Sequence, residues 1–128
     1  MDLMEQRTYY HDAHLTLDFE RKSATLDLQP LPLTRKEYDL LALLVSYAGM
    51  IIPRSEVLMR VWGYGAGIRT RTLDVHIRHL RKKLGVHADV YIETVFGVGH
   101  RFQPFGSAMR LQSPPPMERP ATLAAMGA

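Results

Sequence analysis

Residues 69–85 read RTRTLDVHIRHLRKKLG, and the conformation of this stretch decides how the rest of the chain is arranged. Spaced at 100° per residue, Leu73, Ile77, Leu80 and Leu84 fall in one narrow stripe, the core face of a helix over 70–84 that Gly85 closes. The opposite face carries Arg71, Thr72, Val75, Arg78, His79 and Lys82, so basic and hydrogen-bonding groups surround one small apolar side chain. A face made for solvent alone more often mixes Glu with Lys. Here the only acid is Asp74, off to the side and i,i+4 from Arg78, which it is expected to orient.

The charge of the flanking sequence agrees with that face. The whole chain carries a formal net charge of only +3, yet residues 54–84 hold eight Lys/Arg against two acids, a local net of +6. Residues 1–53 hold five Lys/Arg against eight Asp/Glu, so the protein is electrically two-sided, and its basic side suits a polyanion.

N-terminal to this helix, Gly63-Tyr64-Gly65-Ala66-Gly67 is too glycine-rich to stay helical and is expected to form a loop. Before it, Ser55 to Gly63 reads as a short helix, entered through the extended linker Ile51-Ile52-Pro53. Further back, Thr34 is placed to cap a helix with Glu37 three residues on, a capping box. Leu40, Leu41, Leu44, Val45 and Ala48 keep one face of that helix apolar until Gly49. Tyr9-Tyr10, Leu15 to Phe19, Ala24 to Leu28 and Leu31 to Leu33 read as extended segments of a small antiparallel sheet, with Leu15, Leu17 and Phe19 alternating at the period of a half-buried strand. C-terminal to the basic helix, Val86 to Val90 reads as a polar connection. Tyr91 to Val95 and His100 to Phe102 flank Phe96-Gly97-Val98-Gly99 as a hairpin.

Length and composition bound the rest. At 128 residues, 46% hydrophobic and 23% charged, the chain suits one globular domain. It is expected over 8–105, with a linker at 1–7 and a disordered tail at 106–128, where half of the eight prolines lie. The absence of cysteine excludes disulfides, thiolate zinc sites and iron–sulfur clusters. No apolar run approaches the roughly 20 residues of a membrane span, and the acidic start MDLMEQR lacks the apolar stretch of a secretory signal, so a cytoplasmic protein with no membrane partner is expected. No nucleophile motif frames any Ser, His or Asp, and the Gly65–Gly67 loop lacks the Lys-Ser/Thr ending of a phosphate-binding loop. The reading is therefore of no enzyme, no small-molecule substrate and no cofactor. His76 and His79 stand i,i+3, but with no carboxylate in register they are read as facing a polyanion rather than a metal.

Helix, helix, glycine loop, basic helix and hairpin in this order make a winged helix-turn-helix, an α+β fold whose chemistry is duplex reading. A major groove admits one helix, Arg pairs with guanine edges, and a small apolar side chain meets a thymine methyl. Arg78 and Val75 suit base edges; Arg71, Thr72, Arg81 and Lys82 suit phosphates.

From Pro32 to Phe102 the chain resembles the winged-helix effector domain of the OmpR/PhoB family of two-component response regulators. The segments that carry the resemblance are LTRKEYDLLALL (33–44), PRSEVLMRVWG (53–63), RTRTLDVHIRHLRKKLG (69–85) and IETVFGVGHRF (92–102), the third being close to the family's recognition-helix signature. The resemblance implies a four-stranded antiparallel N-terminal sheet, a three-helix core and a C-terminal β-hairpin wing. It implies a sequence-specific double-stranded-DNA-binding transcription regulator, with helix 70–84 in the major groove and the 95–100 wing on the adjacent backbone or minor groove. Arg69, Arg71, Thr72, Val75, His76, Arg78, His79, Arg81, Lys82, Thr94, His100 and Arg101 are the DNA-binding residues it implies. Trp62 matches the tryptophan that opens the loop Gly63, Tyr64, Gly65, Ala66, Gly67 and Ile68, which falls where family members touch RNA polymerase. Head-to-tail homodimers on direct-repeat half-sites are implied as well.

Three positions depart from the family pattern. Phe96 stands where a wing Arg is usual, His100 where Tyr is usual, and His79 where Arg is frequent. Family members carry a receiver domain before this one, so the chain is expected to be an effector fragment or a stand-alone regulator. The competing reading is a winged-helix protein-interaction module that docks RNA polymerase or another acidic partner through its basic face or glycine loop, with weak DNA affinity.

Overall fold

The computed structural model describes residues 9–63 and 70–106. The expectations for 1–7, for Arg69, for the loop positions 64–68 and for the tail beyond 106 lie outside the described residues. The N-terminal sheet is antiparallel in the order β1 (Tyr9–His11), β2 (Leu15–Asp18), β3 (Ser23–Leu26) and β4 (Gln29–Pro30). Leu15 and Leu17 point inward and are fully buried, as their alternation requires. The last two strands differ from the sequence reading. Strand β3 stops at Leu26 because Asp27 and Leu28 both take positive φ, at 51° and 70°, and the fourth strand is Gln29–Pro30 rather than 31–33.

Helix α1 (Arg35–Ser46) has the predicted capping box: the Glu37 amide donates to the Thr34 hydroxyl at 3.2 Å and the Thr34 amide to the Glu37 carboxylate at 3.0 Å. Strand β5 (Ile51–Pro53) leads into helix α2 (Arg54–Trp62), which ends on Gly63 in the left-handed region. Helix α3 (Thr70–Leu84) is followed by a 3₁₀ turn (Gly85–His87) and a short helix α4 (Ala88–Tyr91), where the sequence reads only as a connection. Strands β6 (Ile92–Val95) and β7 (Gly99–Phe102) form the hairpin. The linker Ile51–Pro53 is a strand: β5 pairs with β7, giving a second sheet in the order β5-β7-β6. Among the described residues no helix is long and apolar enough to cross a membrane.

One core joins these layers. Leu40, Leu41 and Leu44 of α1, Ile52 of β5 and Leu73, Leu80 and Leu84 of α3 are all buried to 1% or less, each contributing about 1.5–3 kcal/mol by removal from water. That burial fixes the rotation of α3, and so decides which of its residues face outward.

Candidate nucleic-acid interface

With Leu73, Ile77, Leu80 and Leu84 against the core, Arg71, Val75, Arg78 and Lys82 run in a line along the far side of α3. Arg71, Arg78 and Lys82 are exposed, Val75 is half-buried, and among the described residues no carboxylate pairs with any of the three cations. Asp74 does not orient Arg78. Its carboxylate accepts from Arg54 at the start of α2, at 2.7 Å, because that guanidinium reaches it from the neighbouring element and leaves Arg78 unneutralised. Thr72 is half-buried beside this line.

The flanks of the helix are tied to the rest of the domain. His76 donates through Nδ1–H to the Thr72 carbonyl, 2.8 Å away, and sets its ring edge-on to Trp62; an N–H on Nδ1 is the tautomer that a carbonyl selects. Trp62 is half-buried, with the Lys36 ammonium 6.0 Å above its ring. His79 is half-exposed with Nδ1 3.6 Å from the Glu37 carboxylate, which also accepts from Lys83 at 2.6 Å. Glu37 is therefore both cap of α1 and anchor of α3. Burial alone would raise its pKa, but the hydrogen bond from Lys83 and the Thr34 amide hold it below the usual carboxylate range.

On the other side an open groove separates α3 from the hairpin, lined by Arg54, Asp74, Arg78, Arg81, Thr94 and His100 among others. Two residues read from sequence as DNA ligands are committed to each other here. Arg81 donates to the Thr94 hydroxyl at 2.7 Å and to the Ile92 carbonyl at 3.0 Å, so it braces the wing against α3 rather than standing free for phosphate. Arg101 is half-buried and donates twice to Glu93, on the sheet face opposite Thr94 and His100. Phe96, at the hairpin tip, is 90% exposed.

His100 is a correction. It is 2% exposed, facing Thr94 across the hairpin and Ile52 on β5, with Nδ1 unpartnered among the described residues; a side chain so enclosed is no surface phosphate ligand. Burial pushes its pKa down to about 4, with the Arg54 and Arg81 cations adding to the effect and Asp74 opposing it. Between that value and the unfolded pKa of about 6.5 only the unfolded chain binds the proton, so stability is complete above about pH 6.5 and declines as pH falls toward 4. Denaturant titrations should show a loss of about 2 kcal/mol from this group between pH 7.5 and pH 5, and a flatter profile in His100→Gln. Parallel profiles for the two proteins would contradict the buried neutral imidazole.

Sequence reading missed Arg54 as part of this surface. Its partner Asp74 lies 20 residues away, and no local spacing signals the pair.

A family model described as the C-terminal part of transcriptional regulatory proteins matches residues 28–102. The response regulator ArlR of Staphylococcus saprophyticus is 44% identical over 87 residues, covering 67% of this chain and 40% of its own length. ArlR of Staphylococcus aureus strain Mu50 is 40% identical over the same span. This chain thus spans about 40% of the curated relatives it matches. Among solved structures, the Klebsiella pneumoniae RstA DNA-binding domain in complex with the RstA box superposes with a TM-score of 0.70 at 29% identity, covering 77% of this chain and all of that one. The DNA-binding domain of CpxR from E. coli superposes with a TM-score of 0.68 at 28% identity, covering 75% and 96% respectively.

Proposed function

This chain belongs to the family of transcriptional regulatory protein C-terminal domains, the OmpR/PhoB-type winged-helix effectors, and on that premise we propose that it reads double-stranded DNA by sequence and regulates transcription. The observation that carries the reading is the line Arg71, Val75, Arg78 and Lys82, exposed cations around a small apolar side chain, held outward by the buried stripe beneath. Helix α3 enters the major groove with Arg78 on a guanine edge and Val75 against a thymine methyl. Arg71, Thr72 and Lys82 hold phosphates and fix the register. His76 and His79 flank the line, and the hairpin tip with Phe96 rests on the adjacent backbone or minor groove.

The family resemblance supports three finer points: Gly63–Ile68 as the surface for RNA polymerase, head-to-tail pairing of two copies on direct repeats, and action in the cytoplasm, where the DNA is. DNA recognition rather than catalysis is the activity of this fold family.

Two substitutions separate reading from holding. Arg78→Ala should cost about 1–3 kcal/mol on the duplex sequence that the parent prefers and relax preference at one base position. Lys82→Ala should weaken binding to every duplex and reduce the salt slope by about one unit. Fluorescence anisotropy across a salt series distinguishes them. Unchanged site preference in Arg78→Ala, or a Lys82→Ala defect confined to one sequence, would overturn these assignments.

A further inference from the structure

Among the described residues, a further cluster of titratable side chains lies away from the groove. His14 in the turn between β1 and β2, Asp27 in the turn between β3 and β4, and His87 in the 3₁₀ turn after α3 bring ligand atoms within 4.8 Å of one another. His14 Nδ1 stands 2.5 Å from one Asp27 oxygen and His87 Nε2 stands 3.1 Å from the other. The two imidazoles stack at 3.9 Å, and Phe105 sets its ring edge-on to both, at 4.4 and 5.3 Å, walling one side with hydrocarbon. The backbone holds the set in place: the Asp27 amide donates to the His14 carbonyl at 2.7 Å, and the His14 amide donates to Asp12 at 2.9 Å. An open pocket lined by His11, His14, Thr16 and Asp27 gives access from solvent.

We propose that His14, Asp27 and His87 form a binding site for one divalent first-row transition-metal ion, zinc fitting best. Two imidazole nitrogens and one carboxylate oxygen are a borderline donor set, suited to zinc, cobalt or nickel rather than to magnesium or calcium. Metal–ligand bonds of about 2.0–2.1 Å in tetrahedral geometry place ligand atoms about 3.3 Å apart. His14 and His87 face different Asp27 oxygens and their rings are stacked, so capture of one ion opens these distances by less than 1 Å and also turns the two imidazoles apart until each ring plane contains the ion, side-chain rotations in groups that are 28%, 52% and 15% exposed. The pocket side leaves a fourth position for water. The histidines that sequence spacing brings to mind do not take part: His76 is held by the Thr72 carbonyl and His79 faces Glu37. A bound ion would join the N-terminal sheet to the segment that begins immediately after Leu84, and so fix the C-terminal end of the outward-facing helix.

Calorimetric titration of the full chain with zinc chloride at pH 7.5, in a non-chelating buffer, tests this. One equivalent should bind with micromolar affinity. His87→Gln and Asp27→Asn should each weaken it about tenfold or more, and a His76→Gln/His79→Gln double variant should bind as the parent does. At a hundredfold excess over the parent's dissociation constant, zinc should raise the thermal midpoint of the parent by about 10 °C or more and that of Asp27→Asn by about half as much or less. Because none of the three side chains belongs to the hydrophobic core, circular dichroism of the metal-free variants should match the parent. Absence of saturable one-equivalent binding, or binding indifferent to His87→Gln and Asp27→Asn, would overturn the site whether or not the chain binds DNA.

Discussion

Asp12→Ala should lower the stability of the domain by about 3–5 kcal/mol, a large part of the 5–15 kcal/mol typical of a small domain. Asp12 is 3% exposed and accepts five hydrogen bonds. Tyr10 and Tyr91 donate their hydroxyls at 2.5 and 2.6 Å, and the amides of His14, Leu15 and Phe105 donate at 2.9, 2.9 and 3.1 Å. Those donors come from the N-terminal sheet, from α4 and from the segment after β7, so one carboxylate gathers both ends of the domain. Alanine would leave two tyrosine hydroxyls without their acceptor inside the core, each costing about 1–3 kcal/mol, together with unmet backbone amides. Burial by itself would raise the Asp12 pKa, but the tyrosine and amide hydrogen bonds outweigh it and hold the group below its ordinary value. Its contribution is thus present above the unfolded pKa of about 3.9 and is lost as pH falls below that, through the lower folded pKa. Guanidinium titration of Asp12→Ala is the check. A loss under about 1 kcal/mol would mean that water replaces the carboxylate without penalty.

Gly99→Ala should cost about 3 kcal/mol or more and displace the wing. Gly99 opens β7 opposite Pro53 on β5 and Val95 on β6. A Cβ there would overlap the Ile52 carbonyl oxygen and come within 2.7 Å of its carbonyl carbon and 2.9 Å of the Pro53 Cα. All three are backbone atoms, so no side-chain rotation relieves the contact and the two strands must part. Val98 accepts from the Arg54 amide at 3.2 Å, and that bond would go with the pairing. Because β5 runs directly into α2, separation of the strands also disturbs Arg54, whose ion pair with Asp74 positions α3. The variant should therefore lose DNA affinity along with stability. A denaturation midpoint and duplex affinity both within error of the parent would contradict the close β5–β7 approach.

The elements legible in the sequence are those whose signals are local. The stripe Leu73, Ile77, Leu80 and Leu84 announces both the helix and its buried side, and the outward line on α3 follows from it by geometry alone. The capping box at Thr34 and Glu37 is likewise a three-residue pattern. What escaped depends on partners far along the chain. Strand β5 has only three residues and is defined by pairing with β7, some 50 residues on. Asp74 is claimed by Arg54 rather than by its helical neighbour. The turn at Asp27 and Leu28 takes positive φ without a glycine, so nothing in the residue types marks where β3 ends. His100 reads as a surface ligand by analogy of position, yet strand alternation turns it inward beside Ile52. Arg81 and Thr94 each suit phosphate chemistry, and only the folded hairpin shows that they meet.

Selection of bound sequences from a random duplex library at near-physiological salt tests most directly whether the outward face of α3 reads DNA. The expected result is enrichment of a direct repeat with half-sites about one helical turn apart, and loss of one preferred base position in each half-site when the selection is repeated with Arg78→Ala. Salt-sensitive bulk binding with no enriched sequence would contradict it.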